Sequence, residues 1–89
     1  MHEFSLINDL IRKITTIARE QHASKIISVT VKLGALSHIS PYHFREHFNH
    51  ATRGTVAEWA QLHIEIMNDM NDPTAQEVLL ENIEVVGDT

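Results

Sequence analysis

The stretch ISVTVKLG, residues 27–34, decides how the rest of the chain is read. Ile27, Val29, Val31 and Leu33 alternate with Ser28, Thr30 and Lys32, the period of two of a strand with one buried face, and Gly34 permits a turn at its end. Upstream the period changes. Leu6, Ile7, Leu10, Ile11, Ile14, Ile17 and Ala18 recur at three- and four-residue spacing while Asn8, Asp9, Arg12, Lys13, Arg19 and Glu20 fall elsewhere, which predicts an amphipathic helix over about residues 5–22 with Ser5 as its cap. Downstream, Ser40-Pro41 is a helix start, with serine at the cap and proline at the first helical position, and Gly54 suits the stop. A second helix therefore covers about 41–53, with Phe44, Phe48 and Ala51 as its apolar stripe. Ala60, Leu62, Ile64 and Ile66 predict a second strand, and Val78, Leu80, Ile83 and Val85 a third, whose phase slips at Glu81-Asn82 as at a bulge. The polar run MNDMNDPTAQ, residues 67–76, reads as a short connector between adjacent antiparallel strands. The order α-β-α-β-β predicts an α+β fold, a three-stranded sheet covered on one face by two helices.

Eighty-nine residues suit one small domain, 1–89, without room for a separate cofactor domain. At this size folding buries only roughly 60–65% of the unfolded chain's surface, so a large substrate pocket would cost the core. A net charge of -5, from 7 Lys+Arg against 12 Asp+Glu, speaks against nucleic acid or an anionic membrane as partner. The absence of cysteine excludes disulfides, thiolate zinc sites and thiol catalysis, leaving histidine, carboxylates and backbone for metal chemistry. The start MHEFSLINDL lacks the basic and apolar regions of a signal peptide, and no run approaches the ~18 apolar residues of a membrane span, so a cytoplasmic protein is expected. Neither a GxSxG elbow nor a P-loop is present, and Glu58, Glu65, Glu81 and Glu84 read as solvated outward positions; no enzyme activity is expected.

Seven histidines are the unusual feature of the composition. His2 is too large a second residue for methionine removal, so Met1 is expected to stay. The free amine, the His2 amide nitrogen and the His2 imidazole can then close adjacent chelate rings on one ion, and planar nitrogen donors suit Ni(II) or Cu(II). A Glu3 atom, or a side chain brought in by folding, supplies the fourth position. His43, His47 and His50 stand at i, i+4 and i+7, within an arc of about 60° on the second helix. That row is either a second metal site or a polar shoulder beside the Phe44/Phe48/Ala51 stripe. His22 and His63 stand alone and read as surface residues.

MHEFSL at 1–6, VKLGALS at 31–37 and RGTVAE at 53–58, with LLENIEV at 79–85 as closing strand, resemble the hydrogenase nickel-incorporation protein family, HypA/HybF. The resemblance covers about residues 1–67 and 76–86. It implies a nickel metallochaperone of [NiFe]-hydrogenase maturation that holds Ni(II) at Met1, His2 and Glu3, working with a nickel-handling GTPase and the hydrogenase large subunit. The family pattern places a zinc ribbon of two Cys-x-x-Cys pairs between the last two strands. Here that interval is the cysteine-free connector 67–76, so no zinc is expected. Ser40 stands where relatives commonly carry an acidic residue near the nickel, which makes His38 the candidate replacement ligand. Trp59 stands where they usually have glycine.

A rival reading is a degenerate paralogue that keeps the fold as a protein-interaction module without metal transfer. A third is a dimer paired through open sheet edges, so monomer and dimer both stay open.

Overall fold

The structure, a computed structural model, describes the backbone of residues 2–87 and the side chains of residues 5–87. Helix α1 spans His2–Glu20, strand β1 Ala23–Leu33, helix α2 Pro41–Ala51, strand β2 Gln61–Ile66 and strand β3 Val78–Gly87. The element order is the expected one, and the mixed three-stranded sheet with two helices is an α+β fold.

Helix α1 begins three residues before the expected start, so Ser5 lies within the helix and is not its cap. Nothing in His2-Glu3-Phe4 breaks a helix, and an acidic residue in the first turn suits its positive end. The helix also ends two residues earlier than expected, at Glu20, followed by His22 in the left-handed region at φ 55°. Its inward stripe is the one the spacing announces: Ile7, Leu10, Ile14 and Ala18 are buried. In α2, Ser40 is the N-cap, its Oγ accepting from the His43 amide at 3.1 Å, and Phe44 and Phe48 are buried. Their rings stack with centroids 6.2 Å apart.

The strand order is β2-β1-β3, with β1 parallel to β2 and antiparallel to β3. This corrects the adjacency expected of the last two strands, because β1 lies between them. A short connector still suffices: Ile66 at the end of β2 and Val78 at the start of β3 both flank Leu33, so the chain crosses only two strand spacings, about 10 Å. Residues 67–77 make that crossing in tight turns. Asp72 Oδ1 accepts from the Thr74 amide at 2.7 Å and the Thr74 hydroxyl at 2.6 Å, and these bonds hold its carboxyl below the usual carboxylate range.

Strand β1 is out of the expected phase at its start. Ile26 pairs with Val85 and Ser28 with Glu84, so Ile27 is an extra residue in the ladder. The bulge puts Ile26 on the core face with Val29, Val31 and Leu33 and leaves Ile27 exposed. A second irregularity falls where the third strand's phase slips: Thr30 pairs with Asn82 and Val31 with Leu80, leaving Glu81 as the extra residue. The two shifts keep Val85, Ile83, Leu80 and Val78 opposite Ile26, Val29, Val31 and Leu33, and all of these belong to one core shared with both helices. The opposite sheet face is polar. Glu84 accepts from the Ser28 hydroxyl at 2.8 Å, Lys32 pairs with Glu81 at 3.4 Å, and the neighbouring Glu81 carboxyl holds that of Glu65 above the usual carboxylate range. Together with Glu58, which accepts from the Gly54 amide at 3.2 Å, these outward carboxylates are partnered as well as solvated. Among the described residues, no helix is long and apolar enough to cross a membrane.

Candidate metal centre

Three segments meet at the end of the sheet where β1 stops. Gly34 ends β1 and is buried, and its amide donates to the Glu77 carbonyl at 2.9 Å while the Leu36 amide donates to the Ala75 carbonyl at 2.7 Å. The connector therefore lies on the turn 34–38. A Cβ on Gly34 would stand 2.1 Å from the Ala75 carbonyl oxygen, so only glycine admits this approach. The turn ends with His38 in the left-handed region at φ 59°, exposed, two residues before the α2 cap.

His38 lines a cleft of about 430 Å³ with Leu36 and Ser37 of the turn, Gln76 of the connector, and Ser5 and Leu6 of α1. The cleft thus joins residues far apart in sequence. Positions 5 and 6 follow position 2 by three and four residues, so helical spacing puts them on the same side of α1 as His2. Because α1 opens at His2, the amide nitrogens of His2 and Glu3 belong to the first turn, whose N–H groups have no acceptor within the helix. The positive end of the helix disfavours a bare dication there and favours anionic donors such as a deprotonated amide or a carboxylate. Met1 lies outside the described residues, as do the side chains of His2 and Glu3.

The second histidine group is arranged differently. His43 Nδ1 is hydrogen-bonded to Ser40 Oγ at 2.9 Å, and His47 Nε2 to Asn8 Oδ1 of α1 at 3.2 Å. The cap hydroxyl draws one ring toward the helix start and α1 draws the other inward, while His50 is exposed in the last turn. Among the described residues, no three His, Cys, Asp or Glu side chains are grouped to hold a metal ion. His43, His47 and His50 are therefore not brought together in this arrangement. His22 and His63 are exposed, as read.

Sequence reasoning missed Leu36 and Gln76 as lining residues. Gln76 carries no signal, since its place depends on the connector folding back over Gly34. It also left Trp59 unexplained: that residue has φ 74°, a backbone suited to glycine, and its side chain is 84% exposed.

Comparison with known proteins identifies the lineage of this arrangement. The family model described as hydrogenase/urease nickel incorporation, metallochaperone, HypA, matches residues 1–71. The hydrogenase maturation factor HypA of Aquifex aeolicus is 42% identical over 66 residues, 74% of this chain and 57% of that protein. Its counterpart in Methylocella silvestris is 40% identical over 67 residues, 75% of this chain and 59% of that protein. The chain thus spans somewhat over half the length of these curated relatives. In fold it is similar to the solution structure of the Ni metallochaperone HypA from Helicobacter pylori, with a TM-score of 0.80 over 97% of this chain and 98% of that one at 19% identity. A second HypA solution structure gives a TM-score of 0.74 at 20% identity, covering 99% and 98% of the two chains. The chain belongs to the HypA family of nickel-incorporation metallochaperones.

Proposed function

We propose that this chain binds Ni(II) with the Met1 amine, the His2 amide and imidazole, and a Glu3 donor, that His38 closes the site, and that the ion is passed on for hydrogenase maturation in the cytoplasm. The nickel-handling GTPase and the hydrogenase large subunit are its proposed partners. The observation that carries the reading is His38 lining one cleft with Ser5 and Leu6, a single helical turn from His2. The first-turn amides support it, because an amide without a helical acceptor can lose its proton to a metal at little structural cost. Nitrogen and carboxylate donors without thiolate suit Ni(II).

Isothermal titration of the full chain with Ni(II) is expected to give one ion per chain. His2→Ala removes the binding and His38→Ala weakens it by about tenfold or more. Affinity falls as pH drops toward about 6, because a ligating imidazole must be unprotonated and its reference pKa is ~6.5. An unchanged affinity in His2→Ala refutes the site.

One observation favours the second reading, an interaction module without metal transfer: the Ser40 hydroxyl serves as a helix cap. Recovery of the same partner by wild type and His2→Ala, indifferent to nickel, would select it.

A further inference from the structure

A second cleft lies toward the other end of α2. It is shallow, of about 700 Å³, and sits between the C-terminal half of that helix and the start of β2, lined by Arg45, Arg53, Glu58, Trp59, Gln61 and His63 among others. Trp59 is the chain's one tryptophan, 84% exposed and at φ 74°. A bulky residue in the left-handed region is strained and persists only where its surroundings hold it. Here both neighbours are tied, the Glu58 amide to the Thr55 carbonyl at 3.1 Å and the Ala60 amide to the Ala57 carbonyl at 3.1 Å. Ala57 is buried and anchors the turn to the core. The fold therefore presents the indole to solvent at a cost in stability.

Charge at this cleft runs against the molecule. The chain carries -5, yet two exposed arginines, Arg45 and Arg53, line this cleft against one carboxylate, Glu58, which accepts from the Gly54 amide. The ion pairs among the described residues are Arg12 with Asp9 and Lys32 with Glu81, which leaves the two arginines without an acidic partner there. Tryptophan and arginine are the side chains that dominate binding energy at protein interfaces. Strand β2 is an edge strand, hydrogen-bonded to β1 on one side only, so its outer backbone groups can receive another strand.

We propose that this cleft docks an extended acidic segment of a partner protein, which lays an aliphatic side chain on the Trp59 indole, sets carboxylates against Arg45 and Arg53, and pairs along the free edge of β2. A nucleotide fits less well. The cleft lies at the C-terminal end of α2, where Thr52 caps the helix and the outward carbonyls oppose the concentrated charge of phosphates. The surface is separate from the proposed nickel site, since the two clefts share no lining residue.

Trp59 is its own reporter. The full chain is titrated with an acetylated, amidated octapeptide alternating glutamate and valine, with its lysine–valine counterpart, and with ATP, while tryptophan emission is followed. The glutamate–valine peptide is expected to give a saturable blue shift that weakens with added salt. The Arg45→Gln/Arg53→Gln double variant, both positions being exposed, should keep its circular dichroism and lose at least tenfold in affinity. His2→Ala should bind the peptide as wild type does, which separates this proposal from the nickel reading. With a fluorescein-labelled peptide read by polarisation, Trp59→Gly should bind at least tenfold more weakly and Trp59→Phe should recover most of the loss. An emission that does not move, an equal response to the lysine–valine peptide, saturation by ATP but not by the acidic peptide, or full binding in the double-arginine variant overturns the proposal.

Discussion

Gly34→Ala is the sharpest single test of how this chain is held together. The added methyl would stand 2.1 Å from the Ala75 carbonyl oxygen, 2.5 Å from its carbon and 2.8 Å from the Thr74 carbonyl oxygen. All three are backbone atoms, so no side chain can rotate aside and the connector must retreat by about 1 Å to restore contact distance. That retreat breaks the Leu36-to-Ala75 hydrogen bond of 2.7 Å and strains the Gly34-to-Glu77 bond of 2.9 Å, each of order 1 kcal/mol. It also loosens Ala75, which is buried against the turn. Against these losses, replacing glycine narrows the unfolded ensemble and returns about 0.4–1 kcal/mol. The expected net destabilisation is about 1–2 kcal/mol, which for a domain of this size lowers Tm by roughly 5–15 °C. Urea and thermal unfolding followed by far-UV circular dichroism measure it. Gly87→Ala is the control, because a Cβ there meets nothing within 4 Å, and it should change stability by no more than about 0.5 kcal/mol. If Gly34→Ala behaves like Gly87→Ala, the connector does not lie on the β1 turn and the cleft has been misassembled.

Two further perturbations test other parts of the structure. Ser40→Ala removes the α2 cap and should destabilise by about 1 kcal/mol in urea unfolding, whereas Ser40→Asp, which caps equally well, should stay within about 0.5 kcal/mol of wild type. Glu65→Gln addresses the polar sheet face, where the hydrogen bond with Glu81, and then the Glu81 charge, raise the Glu65 carboxyl above its ordinary value of 4.5 while Lys32 pulls the other way. A carboxyl raised on folding stabilises fully below its unfolded pKa, and that contribution is lost as pH rises through the folded value. Wild type should therefore lose stability relative to Glu65→Gln as pH rises above the ordinary carboxylate range; parallel pH profiles of the urea midpoint would show that the carboxylate pair does not form in solution.

Much of this architecture can be read from the residues alone, and the exceptions have physical causes. The stripe Ile7, Leu10, Ile14 and Ala18 and the Ser40-Pro41 helix start are local patterns, and both are found as read. The break at Glu81 was visible because apolar residues lie on both sides of it in opposite phase. The bulge at Ile27 was not, because Ile26 and Ile27 are adjacent and equally apolar, so either could have been the buried one. Strand order is a different kind of information. Period-two alternation says which face is buried and nothing about which strand lies alongside. The strand–helix–strand succession of β1, α2 and β2 is compatible with the parallel pairing found, yet β3 could have joined either edge. For the proposed site, His2 was named from the donors it shares with Met1, and its side chain lies outside the described residues. His38 entered through resemblance, and its place beside Ser5 and Leu6 is a tertiary fact that no spacing encodes.

That tertiary fact also changes what the interval between β2 and β3 does. If it merely joined neighbouring strands, its length and content would matter little to a metal held at the other end of the sequence. Instead it crosses the end of β1, donates no side chain to the core except Ala75, and rests its backbone on the turn that carries His38 while Gln76 lines the same cleft. Whatever occupies this interval touches the proposed nickel site through Gly34. Coupling of this kind is reciprocal: an ion that fixes His38 must also fix the turn and the connector lying on it, and a connector pushed away must weaken the ion's hold by the same free energy. Nickel should therefore raise the Tm of wild type by more than it raises that of Gly34→Ala, and an equal rise in both would place the ion's ligands at the chain start alone, without His38.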